Sequence, residues 1–275
     1  MRDDTPPLAL AELAALLQLA SPALPIGGFS YSQGLESAIA ADVVGDAATA
    51  QGWIAAGLDI LSRGEAVLLA RQWQAWSAGD LAAAARNNDT LLALRETAEL
   101  RLETEQMGGS LARLAGELAW GSAAARAQLL AMRPVALHTA YAYAACALGV
   151  GLAPCLTAWL YAWAENQVAA AIKAVPLGQL AGQRILHGLR GAIAEAAAKA
   201  ARPHQAGHGP APAHGAPARL AHPSDPPPRD AGATGAADAD GDIDNAGEPA
   251  VSTFAPLLAI LSSRHETQYS RLFRS

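Results

Sequence analysis

Few residues in this sequence are spaced to do chemistry. Gly28-Phe29-Ser30-Tyr31-Ser32 is one glycine short of a nucleophile elbow and lies between helical patterns instead of after a strand. Pro25–Ser30 holds two glycines but no following Gly-Lys-Ser/Thr, so a phosphate-cradling loop is not supported. His265-Glu266-Thr267-Gln268-Tyr269 is half of a zinc motif, with tyrosine where the second histidine belongs. Asp238, Asp240, Asp242 and Asp244 alternate, yet no glycine takes the EF-hand position and no glutamate closes the loop. His204, His208, His214 and His222 form a loose tract of the sort that binds nickel, copper or zinc weakly, with irregular spacing and nothing to preorganise it. Cys146 and Cys155 stand nine apart in apolar runs and read as two buried thiols. His138 and His187 read as ordinary helix residues. No catalytic set survives, so no catalytic residue and no tightly bound cofactor is expected.

The elements around these residues are helical. Hydrophobic residues make up 52% of the 275, many of them alanine, which implies helices packed at short distance. β-branched and aromatic residues are sparse, which argues against a sheet. Of the net charge of −6, residues 203–250 carry most, with seven acidic side chains against two arginines. The remainder is near neutral and offers no basic face to nucleic acid. The start, MRDDTPPLALAEL, is not a signal peptide, and two unpaired cysteines suit a reducing cytoplasm. Thr139–Ala164 has no charged residue, but Gly149-Val150-Gly151 and Pro154 cut it in two, which predicts a buried helical pair and no membrane span.

Along the chain, Leu10, Leu13 and Leu17 give the face of a first helix over Leu8–Ala20, stopped by Ser21-Pro22. Ser30 and Gln33 read as a capping box for a helix over about 33–43, and Asp46 caps the next. Leu69, Trp73 and Trp76 mark one face of a helix over 65–77, and Asp80 caps a short one ending at Asn87-Asn88. A long pattern over 89–120 has a break at Gly108-Gly109 and a solvated face carrying Arg95–Glu99 and Arg101–Glu105 pairs. Ser122 starts another helix, Val175–Gly178 interrupts the chain, and Leu186, Leu189 and Ile193 face the core from the helix that follows. Pro203–Ala250, with nine prolines and seven glycines, is expected to be a disordered insert. Phe254, Leu257, Leu258 and Leu261 then predict a last helix. The expected organisation is an all-α, single-domain bundle: a body over 1–202, the insert over 203–250, and a helix with a partner-binding tail over 251–275.

Two stretches are built for contact. LPIGGFSYSQGLE, residues 24–36, combines a glycine pair with two aromatics, and Gly27-Gly28 permits positive φ or close approach. Phe29 and Tyr31 are expected to pack there. The tail Arg264–Ser275 carries Tyr269, Leu272 and Phe273 among arginines, the residue types that anchor interfaces. It is expected to be loosely held in the free protein and to order on a partner.

LPIGGFSYSQGLE at 24–36, VPLGQLAGQRIL at 175–186 and SSRHETQYSRLFRS at 262–275 resemble three blocks of the urease accessory proteins of the F type (UreF), and ETEQMGGSLARL at 103–114 resembles the middle of that family. The resemblance covers the chain apart from 203–250. It implies a bundle of about ten helices and a homodimer that joins the D-type accessory protein (UreD, also called UreH). That pair recruits the G-type GTPase (UreG) and helps deliver nickel to apo-urease. It implies a scaffold and regulator, not an enzyme. It also implies site residues: Pro25, Gly27, Gly28, Phe29, Tyr31, Gln33 and Glu36 in the first block; Lys173, Pro176, Gly178, Gln179, Gln183 and Arg184 as GTPase-facing candidates. Arg264, His265, Glu266, Tyr269, Arg271, Leu272, Phe273 and Arg274 would meet the D-type partner. The competing readings are an enzyme using Ser30 or His265, and a small membrane protein through Thr139–Ala164.

Overall fold

Leucine and alanine at helical spacing fold the stretch 9–202 into ten α-helices. The computed structural model describes residues 9–202 together with Ile260, Ser263, Leu272 and Phe273, and these show no strand. The described residues belong to one of two compact units; the other, Pro203–Ala250, lies outside them, as do the expected insert, the four histidines within it and the expected last helix apart from Ile260 and Ser263.

The helices are α1 (Leu10–Ala20), α2 (Leu35–Ala40), α3 (Ala47–Arg63), α4 (Glu65–Ala78), α5 (Leu81–Ala93), α6 (Ala98–Glu117), α7 (Ala123–Ala131), α8 (Leu137–Ala147), α9 (Leu152–Ala174) and α10 (Gln179–Ala200), with one 3₁₀ turn at Gly28–Ser30. Caps fall where the sequence puts them. Asp46 accepts from the Thr49 amide and Thr49 returns the bond to the Asp46 amide, closing a capping box. Asp80 and Ser122 accept from the amides of Ala83 and Ala125.

α8 is the axis of the bundle. His138 through Ala145 are all buried, between α4 on one side and α6 on the other. The next helix, α9, packs on α10, α1, α2, α3 and α4, so both halves of the uncharged stretch are buried as expected, but each chiefly against other helices and not as a pair. No described helix is long and apolar enough to cross a membrane. Buried polar groups tie the packing. Gln72 donates to the Ala84 carbonyl at 3.0 Å and to Thr139 Oγ1 at 2.7 Å. Asn88 donates to the Pro134 carbonyl and accepts from the Ala136 amide at 2.8 Å.

Four expectations are corrected. α1 turns the other way: Ala15, Leu16 and Leu19 are buried, while Leu10, Leu13 and Leu17 are exposed. Two apolar stripes share that helix, and periodicity cannot tell which one meets the core. α2 is capped not by Ser30 and Gln33 but by Gly34 at φ +82°, with no side-chain cap. α5 continues past Asn88 to Ala93, because Asn88 turns inward and bonds across the bundle instead of to its own turn. The break in the long pattern comes at 94–97, where Thr97 caps α6, and α6 runs unbroken through Gly108-Gly109. Gly108 instead serves close approach: a Cβ there would lie 2.6 Å from the Ala136 carbonyl carbon, against the backbone entering α8.

Candidate partner-binding site

The stretch 24–36 is held from two sides by helices distant in sequence. Gly27 takes φ +79° and opens the 3₁₀ turn. Tyr31 is buried and donates from its hydroxyl to Gln106 on α6 at 2.7 Å. On α9, Asn166 donates to the Tyr31 carbonyl at 2.9 Å and Gln167 to the Ser32 carbonyl at 3.1 Å. Gln33 sits at φ +49°, a left-handed conformation uncommon outside glycine. Its amide bridges the bundle, donating to Glu103 at 2.6 Å and accepting from the Trp163 indole. Those two bonds fix a conformation the residue would not choose. Pro25 is exposed at the edge of the same turn.

The expected packing of both aromatics is half corrected. Tyr31 packs, but Phe29 is 62% exposed, because the 3₁₀ turn directs the two side chains to different sides of the backbone.

Glu36, in the same block, is buried at the start of α2, and its carboxylate accepts from the backbone amides of Leu272 at 2.7 Å and Phe273 at 3.2 Å. Charge-assisted bonds of this kind are roughly twice as strong as neutral ones. The Phe273 ring is buried beneath Lys173, whose ammonium lies 5.5 Å from the ring centroid. The expectation of a loosely held tail is therefore corrected at these two residues, which rest on their own chain. Fixing both amides leaves the Leu272 side chain 69% exposed. Arg264, His265, Glu266, Tyr269, Arg271 and Arg274 lie outside the described residues.

Beyond Lys173, Val175 is buried while Pro176, Gly178, Gln179, Gln183 and Arg184 are all exposed, on the turn into α10 and its first two turns. Residues of the first block and the tail thus meet at Glu36 and Phe273, and Lys173, two positions ahead of the central block, covers the Phe273 ring. Among the described residues the arrangement holds no nucleophile and base in bonding distance. Among the described residues no group of three or more histidine, cysteine, aspartate or glutamate side chains is placed to hold a metal. Burial pushes the Cys146 thiol up to about 12 and raises Cys155 further, so both are inert at neutral pH.

One constellation was not legible in the sequence. Glu65 on α4 accepts from Arg95 at 2.9 Å, and His138 Nε2 lies 2.9 Å from its other oxygen. Arg95 is therefore a buried partner of Glu65 and not half of a solvated pair with Glu99, whereas Arg101–Glu105 is the exposed pair expected. Burial alone would raise the Glu65 carboxyl, but the Arg95 guanidinium and the His138 bond outweigh it and hold it well below the usual range. Burial lowers His138, so the ring is neutral and its Nε2–H donates to Glu65. His138 is thus no ordinary helix residue. A partner 73 positions away leaves no local signal.

The family model described as UreF matches residues 44–190 of the chain, a span that contains Lys173 and the whole central block and begins just after the first.

Proposed function

Because this chain belongs to the UreF family of urease accessory proteins, which serve urease maturation, we propose that it acts there as a scaffold without turnover of its own. In this reading it joins the D-type accessory protein through the tail and the surface around Glu36. It presents the central block to the G-type GTPase, and the assembly, built on a homodimer, governs GTP-dependent nickel delivery to apo-urease. The observation that carries the reading is the junction at Glu36, which brings the tail beside Lys173, two positions ahead of the central block. A partner that grips the tail there sits next to Lys173 and the exposed run from Pro176 to Arg184. Leu272 supplies an outward apolar anchor, and Leu10, Leu13 and Leu17 of α1 and Phe29 are exposed as well.

Deleting Arg264–Ser275 is expected to abolish co-purification with the D-type protein while leaving the helical circular dichroism unchanged. Undiminished co-purification sinks the reading. Separately, Arg184→Glu is expected to weaken recruitment of the GTPase to the preformed pair at least tenfold, because an exposed basic contact would become repulsive. Capture of the D-type protein should stay the same. Loss of both partners together would instead mean that α10 had been disturbed.

A further inference from the structure

α9 and α10 pack together, and between them a cleft of about 400 Å³ opens at the surface. Leu186 and Ile193 line it although both are buried, so these two side chains form its floor. Tyr161 stands beside it on α9 and is 37% exposed. From α10 come Gln183, His187 and Arg190, spaced i, i+4 and i+7 along one face and all exposed. An apolar floor under a few polar groups, in the range of roughly 300–1,000 Å³, is the usual make-up of a small-ligand site.

The polar groups of this cleft are of one kind and unanswered. Gln183, His187 and Arg190 have no hydrogen-bond or ion-pair partner among the described residues. All three carry N–H donors, and Arg190 adds a permanent positive charge. No described carboxylate lines the cleft. Burial and, behind it, the Glu165 charge raise the Tyr161 hydroxyl, yet Glu165 itself lines a separate cavity at the 24–36 turn. On α10 no acidic residue occurs before Glu195, which is not in the lining either. Arg184, exposed and three positions from His187, adds a second guanidinium on that helix.

A cationic guest would meet Arg190 with no carboxylate to offset it. A metal ion would find one imidazole and no second ligand of its kind, and no group of three converges among the described residues. A bare inorganic anion would leave the floor of Leu186 and Ile193 in water. We propose that the cleft between α9 and α10 binds a carboxylate carried on an apolar stem. The Arg190 guanidinium takes the carboxylate, whose planar pair of oxygens matches its fork. Gln183 and His187 supply further N–H donors, and the stem rests on Leu186 and Ile193. The carboxylate has two possible sources, a free organic acid or an acidic side chain beside an apolar one on a docked protein.

The test is calorimetric titration of the full chain with 4-phenylbutanoate and, in parallel, with 4-phenylbutan-1-ol, which has the same ring and stem and no charge. Phenylbutanoate should bind at least about fivefold tighter, because its bonds to the guanidinium are charge-assisted. Arg190→Met should abolish that advantage while leaving the alcohol's affinity and the thermal midpoint unchanged. Arg190 is exposed and methionine keeps most of its stem, so the variant keeps the fold. Arg113→Met, on α6 and outside the cleft, should change neither affinity. The dipeptide Nα-acetyl-Glu-Phe-N-methylamide separates the sources: binding as tight as phenylbutanoate assigns the cleft to a protein segment, and weaker binding assigns it to a free acid. Equal affinity for phenylbutanoate and its alcohol overturns the proposal. An advantage that survives Arg190→Met, or that falls equally in Arg113→Met, overturns it as well. The isolated chain is enough for every arm, so failure here leaves the maturation role untouched.

Discussion

Gly108→Ala should destabilise the protein by about 3 kcal/mol, while Gly109→Ala, one residue on, should stabilise it by somewhat under about 1 kcal/mol. Both glycines sit inside α6, where exchanging glycine for alanine ordinarily gains from helix propensity. At Gly109 a Cβ meets nothing within 4 Å, so the gain is kept. At Gly108 the new carbon would stand 2.6 Å from the Ala136 carbonyl carbon and 2.7 Å from the Leu137 amide nitrogen, and closer still to the Val135 carbonyl oxygen. All three are backbone atoms leading into α8 and cannot swing aside as the end of a side chain would. The helices α6 and α8, which pack on one another, must separate. In a body of this size a midpoint drop on the order of 10 °C should follow for Gly108→Ala, against a small rise for Gly109→Ala. Calorimetry that finds the two variants alike would show that α6 and α8 do not approach this closely.

Arg95→Met carries the second large effect, about 3–5 kcal/mol at neutral pH, the usual cost of stranding a buried charge. The stem of methionine replaces the packing, so the loss is electrostatic: Glu65 keeps its charge and only the neutral His138 beside it. Replacing Glu65 by glutamine as well should restore part of the loss, and the double-mutant cycle measures the coupling. Acid supplies an independent check. Glu65 and His138 both titrate in the folded protein below their ordinary values, 4.5 for the carboxyl and 6.5 for the ring. The unfolded chain therefore takes up more protons than the folded one as pH falls through those ordinary values, and acid costs the native protein stability. The onset belongs to His138, near pH 6.5, and the larger loss to Glu65 below about 4.5. In Arg95→Met the sign reverses for Glu65, because an uncompensated buried carboxyl holds its proton more tightly folded than unfolded. The stability gap between the native protein and Arg95→Met should thus narrow from pH 7.5 to 5. A gap that stays constant in urea titrations across that range would remove Arg95 from the network.

How much of this was legible follows the range of each interaction. Asp46, Asp80 and Ser122 cap their helices through bonds reaching three residues along the chain, so a local pattern suffices to find them. The uncharged stretch broken at Gly149–Gly151 reads as buried because a helix apolar on every side has nowhere else to go, but which helices cover each half is decided by the packing. α1 was misread because Leu10, Leu13 and Leu17 form as good a stripe as Leu16 and Leu19, and only α9 packed alongside decides between them. Gly108-Gly109 reads as a break in the sequence, since glycine that weakens a helix and glycine that admits a neighbouring backbone look the same there.

By itself, the sequence determined the class: an all-α body, the caps at Asp46, Asp80 and Ser122, and a resemblance to one family of accessory proteins. These depend on local bonding, on helical period and on residue identity, all written along the chain. The tertiary structure decided which of those residues meet. It carries Leu272 and Phe273 to Glu36 across more than 230 positions, lays Lys173 over the Phe273 ring, and closes Glu65, Arg95 and His138 into one network. A carboxylate's partner is whatever donor the packing delivers, and packing is a property of the whole bundle. The turn at 24–36 shows both at once: its glycines and aromatics announce a specialised stretch, but only the packing of α6 and α9 buries Tyr31 and leaves Phe29 exposed.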